Sequence, residues 1–401
     1  MSEVMAVPKL RFKEFDGDWS QSRIGEIFQV TSGSTPLRSD NRFFENADIA
    51  WVKTTDLNNG LIEKTEEKIS QIALKETSVK ILPKGTVFVA MYGGFNQIGR
   101  TGLLVDEAAC NQALSAIYPN EKIESYFLLT FLNHKVDDWK NFAASSRKDP
   151  NITKSDVLAF PLTYPVKEEQ TKIASFLSTV DEKISQLTQK HALLSQYKQG
   201  MMQKLFSQQV RFKADDKSEF EEWEEKELKD IAEINPKSKK LPESFIYIDL
   251  ESVEKGQLLL QKNIELQDAP SRAQRLLAKG DVLFQMVRPY QQNNYYFNLS
   301  GEYVASTGYA QIRTKLDSKF IYYALHEKTF LDEVMNRCTG TSYPAINSSD
   351  LSSIEILIPC LEEQTKIANF LSSIDQKIEV VAQQIEQAKQ WKKGLLQQMF
   401  I

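Results

Sequence analysis

The chain has 401 residues, a formal net charge of −5, and 41% apolar and 26% charged residues. The length implies two or more domains, and the ordinary composition fits a soluble, cytoplasmic globular protein. No run is long enough to cross a bilayer and no charged-then-apolar leader opens the chain, while the net acidity does not advertise nucleic-acid binding.

Along the first part of the chain, strands are predicted at Thr86–Met91, Leu103–Asp106 and Ala113–Ile117, each rich in β-branched or aromatic residues and bounded by turn formers. A helix is predicted over Ile123–Phe142, followed by a small polar loop, "AASSRKDPN". Pro165 then precedes a long amphipathic stretch that opens on Glu168 and Glu169, acids suited to the positive end of a helix dipole. The carboxylate-rich segment from Asp215 to Glu233 reads as a solvated connector. Strands follow at Asp281–Met286 and Tyr303–Thr307, then a helix at Asp317–Cys338, the loop "CTGTSYPA", and a second long helix to the C-terminus.

These elements recur because the chain repeats. Displaced by 194 residues, EEQTKIASFLSTVDEKISQLTQ from 168 matches EEQTKIANFLSSIDQKIEVVAQ from 362. Pro165 pairs with Pro359, "PNITKSD" with "PAINSSD", "ILPKGTVFV" with "LLAKGDVLF", and "WSQSRIGEI" with "WEEKELKDI". The chain is thus two copies of one unit, a tandem duplication with a period too long for a solenoid. Four segments are expected: a mixed domain at 1–166, a central helix at 167–207, a second mixed domain at 208–360 and a C-terminal helix at 361–401.

In each long helix apolar residues alternate at spacings of three and four. The first seam runs Ile173, Leu177, Val180, Ile184, Leu187, Leu194, Met201, Leu205, with His191 and Lys198 as interruptions. The second runs Ile367, Leu371, Ile374, Ile378, Val381, Ile385, Leu395, Met399, with Ala388 and Lys392 in line. Rods of about 60 Å, at 1.5 Å per residue, outrun the width of a 160-residue domain. The two equal stripes are therefore expected to bury each other. The fold class is mixed α/β (α+β), with the helices in an antiparallel intramolecular coiled coil of pseudo-twofold symmetry. Two unequal heads on a fixed spacer suit a ligand with two half-sites, such as DNA.

Catalytic motifs are weak. "GGFNQIGRT" at 93–101 approaches a phosphate loop, but Arg100 stands where lysine is needed and a strand follows instead of a helix. A glycine-rich hairpin is expected, its backbone and Arg100 able to approach a phosphate. "EEK" at 66–68 and 224–226 lacks the aspartate partner of a nuclease site, and His134, His191 and His326 form no triad. Cys110, Cys338 and Cys360 show no metal or disulfide spacing, which fits a reducing cytosol. No catalytic residue and no metal ligand is expected in this chain.

The leader "PKLRFKEFDGDW", a variable domain, a proline and "EEQTKIASFLSTVDEKI", all repeated, resemble the specificity subunit of bacterial type I restriction–modification systems. Arg211 and Phe212 look like a restart of the leader at Arg11 and Phe12. The resemblance implies two target-recognition domains, each reading half of a split asymmetric site on double-stranded DNA. It also implies docking of two methyltransferase subunits and up to two motor–nuclease subunits. S-adenosylmethionine, ATP and Mg are then expected in the partners and none of them here.

Contact candidates are polar and basic residues between the shared landmarks. In the first domain they are Thr31, Ser32, Ser34, Lys53, Thr54, Tyr92, Asn96, Gln97, Arg100, Asn111, Gln112, Ser146, Arg147 and Lys148. In the second they are Lys237, Lys239, Lys240, Arg272, Arg275, Arg288, Tyr290, Gln291, Asn293, Asn294, Tyr309, Thr341, Ser342 and Tyr343. The competing reading is a structural coiled-coil tether whose two heads bind proteins.

Overall fold

The computed structural model describes residues 7–94, 96–143, 151–237 and 240–401. Contacts gather the chain into two compact units, Met1–Thr188 with Gln383–Ile401, and Gln189–Ala382. Each unit holds one mixed domain together with part of each long helix.

The first unit contains a five-stranded sheet in the order Val30–Ser32, Leu114–Ile117, Val87–Ala90, Thr101–Leu104, Gly60–Ile62. A three-stranded sheet runs Glu67–Ile69, Ile49–Val52, Ala109–Cys110, with its last pair parallel. The second unit repeats this plan. One sheet runs Ala232–Ile234, Tyr309–Thr314, Val282–Gln285, Tyr295–Tyr296, and another runs Lys262–Glu265, Ser244–Ile248, Tyr303–Ser306, Ala273–Leu276. There too the pairing of Ser244–Ile248 with Tyr303–Ser306 is parallel. Val87–Ala90 and Val282–Gln285 are buried along their whole length. This is why "TVFVAM" and "DVLFQM" read as apolar runs without alternation.

Three sequence expectations need correction. The helix expected at Ile123–Phe142 is Ser125–His134, a 3-10 turn Val136–Asp138 and a last turn Trp139–Phe142. The chain bends so that Trp139, fully buried, stacks on Phe160 with ring centroids 3.8 Å apart. The helix expected at Asp317–Cys338 breaks into Ser318–Ala324 and Lys328–Asn336. Glu327 restarts it by accepting the Thr329 and Phe330 amides. The acidic stretch is no plain connector either: Glu224–Glu227 pairs antiparallel with Glu355–Ile358, and Trp223 and Leu228 are core residues. Strand Ser20–Arg23 pairs the same way with Pro161–Tyr164. Each ribbon ties a domain's start to its end, just before the proline that opens a long helix.

Those helices span Lys167–Phe206 and Leu361–Met399. In the first unit Ile173, Leu177 and Val180 share a core with Leu395 and Met399. In the second, Leu205 shares one with Ile367 and Leu371. Leu187, Ile374, Val381 and Ile385 are also buried, while Ile184, Leu194, Met201 and Ile378 are half-buried. Asp181 meets Lys392 in the first unit and Lys198 meets Asp375 in the second, so the two helices run antiparallel. The lysine at each apparent seam fault is thus neutralised across the pair.

Candidate nucleic-acid interface

The heptapeptide EEQTKIA forms the joint between each domain and its helix. Glu169 is fully buried and takes Nε and a terminal nitrogen of Arg11, both at 2.7 Å. Glu363, equally buried, takes Arg211 at 3.2 and 2.9 Å and the Trp223 indole at 3.1 Å. The next residue, Gln170, donates to Pro165 O at 2.8 Å and accepts the Glu124 amide at 2.9 Å. Gln364 donates to Pro359 O at 2.8 Å and accepts the Asp317 amide at 3.2 Å. Each glutamine therefore fastens the long helix to the N-terminus of a domain helix, satisfying groups that a helix end leaves open. One turn of sequence holds all of this because i, i+3 and i+4 positions share a face.

A second joint is also built twice. Tyr126 donates to Asp181 at 2.7 Å while Lys392 pairs with the other oxygen at 2.6 Å. Tyr323 and Lys198 do the same to Asp375, at 2.7 and 2.6 Å. Burial, and then the hydrogen bond to aspartate, push both tyrosine hydroxyls above their ordinary 10.0. An acid whose folded pKa is raised contributes stability that is full below the unfolded pKa and is lost above it. Stability is accordingly expected to fall as pH rises past about 10, where an unfolded tyrosine ionises. Tyr126→Phe and Tyr323→Phe should flatten that fall, as measured by denaturation midpoints across alkaline pH.

Loops of the two units meet at equivalent backbone junctions. In the first unit Met91 N donates to Ala113 O and Met91 O accepts Ile152 N, at 2.8 and 3.0 Å. In the second, Met286 N donates to Gly308 O and Met286 O accepts Ile346 N, at 3.0 and 3.1 Å. At each junction the segment after the buried strand meets the one before the neighbouring strand and the backbone at Ile152 or Ile346. Ser146, Arg147, Lys148 and Lys239 lie outside the described residues.

Around the first junction stand Tyr92, Asn96, Gln97, Arg100, Asn111 and Gln112. Arg100 donates to Gln97 at 2.6 Å, and Gln97 N closes a turn on Gly94 O at 3.0 Å. Gly99 lies at φ +77°, and a Cβ there would sit 2.4 Å from the Trp139 ring, which explains the glycine. The following Thr101 is spent on Asn133 at 2.6 Å. A strand, Thr101–Leu104, follows where a phosphate loop would have a helix. Thr31, Ser32 and Ser34 lie beside the Asn111 loop, since Ser34 N donates to Cys110 O at 3.0 Å and Thr35 bonds Gln112. Thr54 opens a 3-10 turn, Thr54–Asp56.

The second junction carries Arg288, Tyr290, Gln291, Asn293, Thr341, Ser342 and Tyr343. Arg288, at φ +55°, donates its amide to Pro344 O at 2.7 Å and lays its guanidinium 4.3 Å from the Tyr343 ring. Tyr290 and Tyr343 are exposed. Lys237, Lys240 and Arg272 are exposed as well, and Arg272 O accepts the Thr307 amide at 2.9 Å, next to Gly308 of the junction.

Four candidates are corrected by burial or pairing. Tyr309 is fully buried and belongs to the core, as the first of the four buried residues Tyr309–Ile312 of its strand. Asn294 is buried and accepts the Gln285 amide at 2.8 Å. Lys53 is held by Glu67 and Glu66 at 2.7 and 3.1 Å, which leaves its charge spent inside the protein. Arg275 is half-buried with its Nε unpartnered among the described residues, and desolvation lowers its pKa. Two residues escaped the sequence reading. Gly33 would place a Cβ 2.2 Å from Cys110 O, so only glycine lets this strand pass the Asn111 loop. Gln285, the one long polar residue in "VLFQM", had a signal in that run that was not used.

Among the described residues no helix is long and apolar enough to cross a membrane. The family described as "Type I restriction modification DNA specificity domain" matches residues 16–196 and 220–390. The MjaVIII type I restriction enzyme specificity subunit of Methanocaldococcus jannaschii is 26% identical, over 96% of this chain and 94% of its own. The EcoR124I/EcoR124II specificity subunit of Escherichia coli is 24% identical, over 45% of each chain. Among solved structures, the type I restriction–modification S subunit from M. genitalium aligns with a TM-score of 0.64 at 17% identity, covering 99% of both chains. A chain from work on complex assembly and conformational transition of the type I R-M system aligns at 0.55, with 20% identity over 94% of this chain and 96% of its own. At such identities the solved structures speak to fold, and it is the fold found here.

Proposed function

Since this chain belongs to the type I restriction–modification DNA specificity family, we propose that it reads a two-part, asymmetric duplex sequence, one half with each unit. The paired long helices act as spacer and as docking surface for methyltransferase subunits. Motor–nuclease subunits join that assembly, and S-adenosylmethionine, ATP and Mg are held by the partners. In this reading the present chain contributes the address and its partners the chemistry. Adenine methylation requires an extruded base, so the reader grips the duplex while a partner flips the target.

The observation that carries this reading is the junction at Met91 and Met286. One backbone arrangement is built twice and furnished with different polar and aromatic side chains, as expected for two heads reading different bases. Arg288, steadied on Tyr343, is the best placed for a guanine edge. Binding of DNA by the complex with methyltransferase subunits should fall steeply with salt and depend on sequence in both half-sites. Arg288→Ala is expected to cost about 1–3 kcal/mol on the second half-site and nothing on the first. Equal affinity for scrambled duplexes would overturn the reading in favour of a tether for proteins.

A further inference from the structure

The loop after Val282–Gln285 in the second unit is held from beneath by a chain of hydrogen bonds whose direction is fixed at both ends. At one end His326, half-buried, places Nδ1 2.7 Å from Tyr322 O. A carbonyl only accepts, so Nδ1 carries the proton and Nε2 is left as an acceptor. The Asn294 amide nitrogen stands 3.4 Å from that Nε2, and Asn294 Oδ1 accepts the Gln285 backbone amide at 2.8 Å. At the other end the buried Gln285 side chain accepts the Asn293 backbone amide at 3.0 Å, which identifies its oxygen. Its nitrogen then donates to Val287 O at 2.8 Å and to the side-chain oxygen of Gln291 at 2.9 Å.

This network settles which way Gln291 points its amide. One lone pair of its oxygen is taken below by Gln285, so its two nitrogen hydrogens are the groups most free for a ligand. A free glutamine pairs with adenine by donating to N7 and accepting from N6, and therefore needs both ends. Resting on the reading of this unit as a DNA-binding head, we propose that Gln285 is a positioning residue that biases Gln291 toward donating its amide hydrogens rather than pairing through both ends. The base edge favoured opposite Gln291 in the second half-site is then one that offers acceptors alone, guanine O6/N7 or thymine O4, while adenine, whose N6 donor beside N7 calls on the amide oxygen as well, is disfavoured. The buried residue shapes specificity without touching DNA, through the side chain that it orients.

The test uses the full chain in complex with its methyltransferase subunits and a duplex library randomised in the second half-site. Wild type should select guanine or thymine at one position that responds to Gln291→Ala. Gln291→Glu still accepts from Gln285 but has no donor, so its preference should move to cytosine, whose N4 donates. The expected change in the ratio of preferred to disfavoured base is about tenfold or more. Gln285→Leu frees Gln291 and should let adenine in at that position while first-half-site selection stays intact, which also reports that the chain is folded. Selection of adenine by wild type at the Gln291-dependent position, or unchanged selection in Gln291→Glu, overturns the inference. Absence of any selection by wild type would instead defeat the reading of the protein as a DNA reader.

Discussion

Arg11→Ala is expected to destabilise the first unit by about 3–5 kcal/mol, the cost of leaving a buried carboxylate without its counter-ion. Glu169 is 0% exposed and Arg11 only 12% exposed, so water cannot take over the lost contacts. Arg11 also donates to Gly17 O at 2.6 Å, so its loss loosens the leader as well. The two copies differ here in a useful way. Glu363 keeps the Trp223 indole when Arg211 is removed, whereas the Trp19 indole has no partner among the described residues. Arg211→Ala should therefore cost less than Arg11→Ala. Pairing Arg11→Ala with Glu169→Gln should recover much of the loss, because a neutral amide is cheaper to bury than an unpaired anion. Denaturant titration of the four proteins checks this order. A loss below 1 kcal/mol for Arg11→Ala would mean that Glu169 is not stabilised by this pair.

The second large effect is expected at Asp375. Asp375→Ala removes the acceptor of the Tyr323 hydroxyl and the counter-ion of Lys198 at once. Hydrogen bonds to a charged group contribute about 1.5–3 kcal/mol, and the ion pair, being partly exposed, adds less. A total near 2–4 kcal/mol is expected. Beyond stability, the pair sets register. A polar position in an apolar seam is a known device for fixing alignment. Exchanging the charges, with Lys198→Asp and Asp375→Lys together, should restore the ion pair but not the bond from Tyr323. Half-recovery in the double variant, with Asp375→Lys alone the worst, is the expected pattern in thermal unfolding. Full additivity of the two substitutions would show that the residues do not act as a pair.

The repeat was legible because duplication leaves identity wherever partners are shared. EEQTKIA is one such place, and the structure shows why: glutamate, glutamine and isoleucine each face a different buried neighbour, so none can change alone. The long helices were equally legible, since a stripe of spacing three and four has few other uses at that length. Other parts were not. The helical propensity of 123–142 and 317–338 is continuous, and what breaks them is the burial of Trp139 against Phe160 in one and the cap that Glu327 places on Thr329 and Phe330 in the other. Tyr309 and Asn294 looked like loop polarity because a sequence does not say which side of a strand end faces the core. Lys53 looked like a free cation because Glu66 and Glu67 reach it only through the pairing of Ile49–Val52 with Glu67–Ile69.

Local pattern alone was thus sufficient for the duplication, the two-part unit, the long helices and the family. These follow from periodicity and identity, which are properties of neighbours along the chain. Tertiary structure alone decided which polar groups are spent inside the protein and which are left facing outward. That division depends on partners more than a hundred residues apart, as between Arg11 and Glu169, or on a buried amide such as Gln285 that turns its neighbour's donor outward. Hydrogen-bond direction is a property of closed networks, and a network closes only when the chain has folded.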